Sequence, residues 1–264
     1  DIANVCNEAA LTAARKNKKE INKQDFLDAI DRIVGGLEKK NKIITEEERR
    51  TIAIHEAGHA SISWLLQVDH PLVKVTIVPR GKALGAAWYL PEERQLTTTE
   101  QLLDEMCSTL GGRAAEEVVF GRISTGALND LEKVTQQAYA MIRYYGMSKE
   151  IPNISYYDST GQQEYALGKP YSESRAQIID KEVSKIIEEQ YERAKRILCE
   201  NADKHQRLAE LLLEREVIFS DDLEEIYGPR PWNSKGEEKE KTNETEPEDS
   251  KIETEENNSS NLSD

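Results

Sequence analysis

A helix that carries two histidines one turn apart is predicted to begin just after Thr45. Thr45 is followed three residues later by Glu48, which is the spacing of a capping box at a helix start. No proline interrupts the sequence before Asp69-His70-Pro71, so the helix is predicted to run to about that point. His55 and His59 lie within it. Their side chains share one face, because residues four apart on an α-helix have Cβ atoms about 5–6 Å apart.

The segment His55-Glu56-Ala57-Gly58-His59 has the chemistry of a hydrolytic metal centre. Two imidazoles on one helix face can both reach a Zn²⁺ ion at about 2.0–2.1 Å. Glu56 projects about 100° round the helix from His55, beside the metal, where it can take a proton from a water molecule that the metal has made more acidic. The motif uses two of only four histidines in the chain. With its helical setting, it predicts a zinc metalloprotease site.

The motif does not supply the third protein ligand that a catalytic zinc site needs. The extended pattern H-E-x-x-H-x-x-G-x-x-H fails, because Ile62 and Leu65 occupy its glycine and third-histidine positions. The other histidines, His70 and His205, are predicted in a turn and on a polar helix face, so neither is favoured. The remaining candidates are the carboxylates of Glu92, Glu93, Glu100, Glu116, Glu117 and Asp130.

Two of these carboxylates, Glu92 and Glu93, follow Pro91 in a polar loop, which favours solvated charges there. Asp130 stands at a predicted helix start, and the residues alone leave two interpretations open. It can be a helix cap, a common role for Asn-Asp before a leucine, or it can be the third ligand. The two roles are compatible, since Asn129 could cap the helix while Asp130 binds the metal.

The rest of the sequence predicts an α+β fold that is predominantly α-helical, with one small hairpin. Residues 73–77 alternate apolar and polar side chains, as a half-buried strand does, and a turn at Arg80-Gly81-Lys82 leads into a second strand, Leu84–Leu90. Thr97 and Glu100 form a second predicted capping box, which opens a helix that ends at Gly121. Two short helices are predicted within residues 1–33, the second of which begins at Asn22. A loop at 124–129 is predicted to precede a helix that runs to about Gly146. Three more helices are predicted at about 174–200, at 203–215 and after Ser220-Asp221-Asp222.

Charge and composition exclude some classes of function. The formal net charge of −15 argues against a nucleic-acid partner, because phosphate contacts need clustered lysine and arginine. Residues 233–264 hold 11 acidic and four basic residues with almost no aliphatic ones, which is typical of a disordered acidic tail. No apolar run approaches the roughly 20 residues that span a bilayer. The three cysteines lack paired spacing, which is typical of reduced thiols in the cytosol.

Taken together, several segments closely resemble the FtsH family of ATP-dependent AAA+ zinc metalloproteases. The resemblance runs from residue 1 to about 228 and is weakest in 147–171. Besides the histidine motif, the matching segments are Asp1-Ile2-Ala3-Asn4-Val5-Cys6-Asn7-Glu8-Ala9-Ala10-Leu11, Glu38-Lys39-Lys40, Val75-Thr76-Ile77-Val78-Pro79-Arg80-Gly81, Leu90-Pro91-Glu92, Gly111-Gly112-Arg113-Ala114-Ala115-Glu116-Glu117 and Ser124-Thr125-Gly126-Ala127-Leu128-Asn129-Asp130-Leu131.

The resemblance implies a set of site residues and a domain plan. Asp130 matches the position of the family's third zinc ligand. Glu116 and Glu117 match an acidic pair whose first member, Glu116, is expected to hydrogen-bond a ligand histidine from behind, although the sequence does not separate the two. Four regions are implied: the end of a AAA+ helical lid at 1–33, a linker at 34–45, a zinc metallopeptidase domain at 46–232, and the acidic tail at 233–264. The resemblance also implies one Zn²⁺ ion per subunit.

The same resemblance implies a larger protein around this chain. The chain has no G-x-x-x-x-G-K-[ST] loop, so ATP and Mg²⁺ are expected to bind a preceding AAA+ part. That parent is expected to be a homo-hexamer with an N-terminal membrane anchor on the cytoplasmic face of a bacterial inner membrane, and the chain itself is expected to be a soluble fragment. The parent is expected to degrade unfolded or unassembled membrane and cytosolic proteins. The alternative is a catalytically inert module that scaffolds a membrane complex, against which retention of Glu56 counts.

The second strand of the hairpin is the expected substrate site. An edge strand offers unpaired backbone groups to which an extended peptide can add, and the resemblance implies this use. The alternative is an edge that a loop merely covers. The residues assigned to substrate binding are Leu84, Gly85, Ala86, Ala87, Trp88 and Tyr89.

Overall fold

A computed structural model of the chain describes residues 2–37, 44–67, 71–80, 84–90, 95–159 and 169–230. Several predictions fall outside these ranges: the turn residues Gly81 and Lys82, the carboxylates Glu92 and Glu93, His70, and the acidic tail at 233–264. Residues up to Arg230 form one compact unit. The boundaries predicted within that unit, at 33 and 45, stay predictions.

The described residues form nine helices and one small antiparallel sheet, so the predicted α+β, mostly helical class is confirmed. Among them, no helix combines the length and the apolar character needed to cross a bilayer. In chain order the elements are α1 (Ile2–Arg15), α2 (Lys23–Gly35), α3 (Glu46–Leu65), β1 (Leu72–Thr76), β2 (Ala86–Tyr89), α4 (Thr99–Thr109), α5 (Gly111–Phe120), α6 (Leu128–Arg143), α7 (Glu173–Glu200), α8 (Ala202–Arg215), β3 (Val217–Phe219) and α9 (Ser220–Tyr227).

Helix α3 is the central element of the fold. Its start is the predicted capping box: the Thr45 side chain accepts from the Glu48 amide, and the Glu48 side chain accepts from the Thr45 amide. Every residue from Ile52 to Trp64 is buried, because α5 and α8 pack against the helix and the sheet covers it further. A helix that is buried on all sides holds its polar groups in a low-dielectric interior, where each needs a partner.

The sheet has the strand order β2-β1-β3, and both pairings are antiparallel. The hairpin of β1 and β2 is as predicted, although β2 is shorter than the expected Leu84–Leu90. Strand β3 was not predicted. It has only three residues between two helices, too few to show an alternating pattern, and it becomes a strand because Ile218 is buried opposite Val75.

The prediction of a single helix from Thr97 to Gly121 was wrong in two ways. The capping residue is Thr98, whose side chain accepts from the Gln101 amide, and not Thr97. The helix is also interrupted at Leu110, which separates α4 from α5. Gly111, which opens α5, lies directly against α3: a Cβ on Gly58 would come within 2.4 Å of the Gly111 carbonyl oxygen. The interruption therefore lets two helix backbones touch beside the histidine motif.

Candidate metal centre

Three potential metal-binding atoms converge where α3 meets the start of α6. The two Nε2 atoms of His55 and His59 lie 3.1 Å apart. Asp130 Oδ2 lies 3.3 Å from Nε2 of His55 and 3.4 Å from Nε2 of His59. The histidines come from successive turns of one helix, whereas Asp130 comes from a helix 71 residues further along the chain than His59. The fold thus brings together the two histidines and the carboxylate named from the sequence.

Partners on the far side of each ring determine which nitrogen is free to bind a metal. His55 Nδ1 donates to Glu116 Oε1 at 2.7 Å. His59 Nδ1 donates to the backbone carbonyl of Ser108 at 2.9 Å. Because a carbonyl and a carboxylate can only accept, each neutral imidazole keeps its proton on Nδ1 and presents the Nε2 lone pair to the site. Two lone pairs and a carboxylate oxygen therefore face one another.

This donor set fits a Zn²⁺ ion. Tetrahedral ligands at about 2.0–2.1 Å from zinc lie about 3.3–3.4 Å from each other, and the three separations here are 3.1, 3.3 and 3.4 Å. Two imidazoles and one carboxylate also leave one tetrahedral position open, which is the arrangement of a catalytic zinc site. Both rings have an acceptor on Nδ1, as ligand histidines usually do.

The electrostatics of the site favour a bound positive charge. Burial alone would lower the pKa of His55, but its hydrogen bonds with Asp130 and Glu116 outweigh burial and raise that pKa to about 10. Burial likewise opposes ionisation of Asp130, yet the two histidines hold its pKa well below the ordinary 3.8. The three donor atoms thus need a cation between them, which either a metal ion or a proton on an imidazole can supply.

Glu56 lies beside this cluster with its carboxylate enclosed. Burial raises its pKa above the ordinary 4.5, and the neighbouring His59 and His55 offset part of that rise. A raised pKa suits a general base, because the carboxyl group can then both accept and return a proton near neutral pH. The enclosure comes from Gly85, where an added Cβ would lie 2.6 Å from Glu56 Oε1.

Glu116 and Glu117, which the sequence could not separate, have different surroundings. Glu116 is buried, accepts a hydrogen bond from His55 Nδ1, and also accepts one from the Ser124 amide at 2.6 Å. Burial opposes its ionisation, but these two hydrogen bonds lower its pKa below 4.5. Glu117 points the other way, to the hydroxyl of Tyr191 and the ammonium of Lys195. Only Glu116 is therefore placed to orient a histidine of the cluster.

Asp130 is the third residue of α6, so the interpretation of this residue as a helix cap is wrong, and Asn129 does not cap the helix either. The helix begins at Leu128, its N-cap is Ala127, and no side chain caps it. An aspartate in the first turn still interacts favourably with the positive helix N-terminus. His205, expected on a polar face, is instead buried, with Nε2 3.2 Å from the carbonyl oxygen of Ile54.

Two glycines and a main-chain carbonyl group shape the site, but no sequence pattern indicates their role. A Cβ on Gly112 would lie 2.3 Å from His55 Nε2, so the imidazole lies directly against the α5 backbone. The Gly111-Gly112 pair is visible in the sequence, but its purpose is clear only once α5 is known to touch α3. The role of the Ser108 carbonyl group could not be predicted from the sequence, because any residue can supply a main-chain carbonyl.

The residues expected to bind substrate lie along one edge of the sheet. Among the described residues, β2 pairs only with β1 and is therefore an outer strand. Its face with Ala87 and Tyr89 packs on the core that contains α3, as does Leu84, which precedes the strand. Gly85 brings the start of this segment against Glu56. The candidate strand and the candidate base are therefore adjacent.

The chain resembles known proteins over most of its length. The model of peptidase family M41 matches residues 42–226. The chain is 69% identical over 238 residues to an ATP-dependent zinc metalloprotease FtsH of Parabacteroides distasonis, which covers 90% of the chain and 35% of that protein.

Two further relatives extend this comparison. A protein of the same name from Rhodothermus marinus is 58% identical over 88% of the chain and 34% of its own length. The mitochondrial inner membrane m-AAA protease component AFG3L2 of Mus musculus is 52% identical over 89% and 29%. The chain thus spans about a third of the length of the curated relatives it matches.

Proposed function

The chain belongs to peptidase family M41, and we propose that it is a zinc metalloprotease whose zinc ligands are His55, His59 and Asp130. The observation that carries this proposal is the near-equal spacing of three donor atoms, 3.1–3.4 Å, with the proton of each ring directed away from the site. Zinc bound there would acidify a water molecule and polarise the scissile carbonyl group.

In this proposal Glu56 moves the protons of peptide hydrolysis. Its carboxylate accepts a proton from the attacking water, and the resulting carboxylic acid then donates that proton to the leaving amine. The buried surroundings that raise its pKa make the first step easier, because they strengthen the base, and they keep the proton on the carboxylic acid until the leaving amine accepts it. Glu116 keeps the His55 ring in place through Nδ1 and does not touch the substrate.

The substrate class in this proposal is an extended polypeptide that adds to strand β2. Residues 84–89 lead from Glu56 along the outer edge of the sheet, so a peptide paired with this strand would run past the general base. Pairing through main-chain hydrogen bonds does not depend on the side chains of the substrate, which suits an endopeptidase of broad specificity. The adjacency of Gly85 and Glu56 supports this placement.

We extend the proposal to the longer protein that the relatives represent. Their printed names describe ATP-dependent zinc metalloproteases, and one is a component of a mitochondrial inner membrane protease. By analogy, the chain would act within a membrane-anchored homo-hexamer on the cytoplasmic face of a bacterial inner membrane. It would degrade unfolded or unassembled membrane and cytosolic proteins, and ATP and Mg²⁺ would bind a AAA+ part outside this chain.

The decisive experiment separates catalysis from metal binding. Glu56→Gln should lower cleavage of casein and of an unstructured fluorogenic peptide by about 10²–10⁴-fold, the usual contribution of a general base. Zinc content should stay at the wild-type level, because Glu56 is not one of the three donors. Glu46→Gln, at the exposed start of the same helix, serves as the control and should cleave normally. Normal cleavage by Glu56→Gln would refute the assigned role.

A further inference from the structure

Helix α2 is joined to the sheet by one aspartate that serves two cations. Asp31 of α2 pairs with the ammonium group of Lys74 in β1. Its second oxygen lies 3.6 Å from the guanidinium of Arg80, which follows β1. All three side chains are largely enclosed, with exposed fractions between 13% and 21%. Such a pair is screened less by solvent than a surface ion pair and holds its partners more firmly.

The same lysine reaches the outer strand. Lys74 and Trp88 are directly opposed in the pairing of β1 with β2. The Lys74 ammonium lies 5.1 Å from the centre of the Trp88 ring, within range of a cation–π interaction. One positive charge therefore links Asp31 on the helix to the indole on the strand.

The end of α2 also packs on this indole. A Cβ on Gly35 would lie 3.0 Å from Cζ2 of Trp88 and 3.3 Å from Cδ of Arg80, so the helix end packs closely on both side chains. The Trp88 indole N–H is buried and has no hydrogen-bond partner within the described part of the chain. Packing and the lysine charge hold this ring, since it gains nothing from a hydrogen bond of its own.

Strand β2 needs such support because its own pairing is short and irregular. It has four residues and one neighbouring strand, and the pairing register shifts between Leu72 and Lys74. An outer strand of this length depends on packing against other elements for its stability. Ala87 and Tyr89 pack on the core, whereas Trp88 lies on the other face of the strand, toward α2.

We propose that Asp31 and Lys74 form an ionic clasp that holds β2 through Trp88 and so sets how well this strand accepts a polypeptide. The proposal rests on the proposed function, in which β2 receives the substrate. Asp31 and Lys74 are positioning residues, because they act on the strand without touching the reacting atoms. A displacement of α2 is transmitted to the substrate edge by this contact.

The test compares two variants that break the clasp with one that breaks a similar pair elsewhere. Asp31→Asn and Lys74→Met remove one charge each while keeping most of the side-chain volume. Asp28→Asn is the matched control, since it removes an aspartate one turn earlier on α2 that pairs with Lys16 and not with the sheet. Each protein is examined by hydrogen–deuterium exchange over residues 84–90 and by steady-state cleavage of a fluorogenic peptide.

The clasp predicts that both variants speed amide exchange over residues 84–90 by roughly fivefold, the effect of losing one partly buried charge contact. The Leu90 amide, which donates to the Pro71 carbonyl at 2.9 Å, is a suitable reporter. KM should rise by a similar factor while kcat and zinc content stay unchanged, and Asp28→Asn should match wild type. The effect of the double variant should be smaller than the sum of the two single effects, because both substitutions remove the contact between Asp31 and Lys74.

Unchanged exchange in both single variants would overturn the clasp. Faster exchange with an unchanged KM would overturn its role in substrate uptake. If the wild-type chain cleaves no peptide, the proposed function fails, and the exchange measurement alone decides whether the clasp exists.

Discussion

Glu116 holds His55 from behind the candidate metal centre, with its Oε1 2.7 Å from Nδ1 of the imidazole. Its other oxygen accepts from the Ser124 amide at 2.6 Å. The carboxylate is therefore fixed at both ends, between helix α3 and the loop that leads into α6. Because α6 carries Asp130, one side chain ties together the elements that supply the first and third donors of the cluster.

Glu116→Gln should weaken zinc binding by about 10–100-fold, the usual loss when a residue behind a metal ligand is changed. If the glutamine oxygen accepts from His55, its NH₂ group must face the Ser124 amide, which is also a donor, so one of the two contacts is lost. Competition with a chromogenic chelator measures the affinity. Glu117→Gln is the control, because Glu117 contacts Tyr191 and Lys195; a loss in that variant equal to the loss in Glu116→Gln would contradict the assignment.

Asp130→Ala should reduce zinc affinity by more than about 100-fold, a larger loss than for a residue behind a ligand. The variant removes one of three donors, and also a favourable charge in the first turn of α6, worth about 0.3–1 kcal/mol of folding free energy. Zinc content after dialysis, measured together with the free energy of unfolding, separates the two effects. Asn129→Ala, the exposed neighbour, should keep its zinc. Full zinc content in Asp130→Ala would require a different third ligand.

Local sequence patterns predicted most of the helices correctly, whereas contacts between segments distant in sequence became known only from the structure. Each capping box, at Asn22 and at Thr45, consists of two residues three positions apart, so the sequence alone locates both helix starts. Strand β3 and the interruption at Leu110 depend on what packs against them, and a three-residue segment or a glycine pair carries too little pattern to predict either. Tertiary contacts decided those elements.

The candidate site divides in the same way. His55, Glu56 and His59 follow from helical spacing, because all three stand on one element. Asp130 was named through resemblance, since no local rule links it to a motif so far away in sequence. Gly85 and the Ser108 carbonyl were missed as contributors to the centre, because their effect depends on a close approach of backbones that no spacing encodes.

Gly85→Ala should lower kcat by roughly 10–100-fold with zinc content unchanged. The added Cβ would lie 2.6 Å from Oε1 and 2.7 Å from Cγ of Glu56, so either the base or the strand must move. A displacement of about 1 Å at a catalytic group can cost about 10²-fold in rate. Both proteins are compared at full zinc occupancy, so that a fall in kcat reports on Glu56 and not on a loss of metal. A fully active Gly85→Ala would show that Glu56 tolerates a displaced strand.

His205 should make folding stability fall in mildly acidic solution. Burial lowers its pKa below the ordinary 6.5, and the hydrogen bond to the Ile54 carbonyl offsets only part of that effect. In the unfolded chain His205 therefore binds a proton near pH 6.5, whereas in the folded chain it binds one only at lower pH. This contribution to stability is complete above pH 6.5 and is lost as the pH falls toward the lower folded pKa, with a slope of up to about 1.4 kcal/mol per pH unit.

His205→Gln should remove that pH dependence, since glutamine can still donate to the Ile54 carbonyl but does not titrate in this range. Urea unfolding of both proteins at several pH values between 8 and 5 gives the difference in their free energies of unfolding. All other titrating groups are common to both proteins and cancel in this difference, provided that both are measured with the same zinc concentration. The difference should be constant above pH 6.5 and shift in favour of the variant below it. A difference that stays constant down to pH 5 would mean that the folded state accepts a proton on His205 as readily as the unfolded chain does.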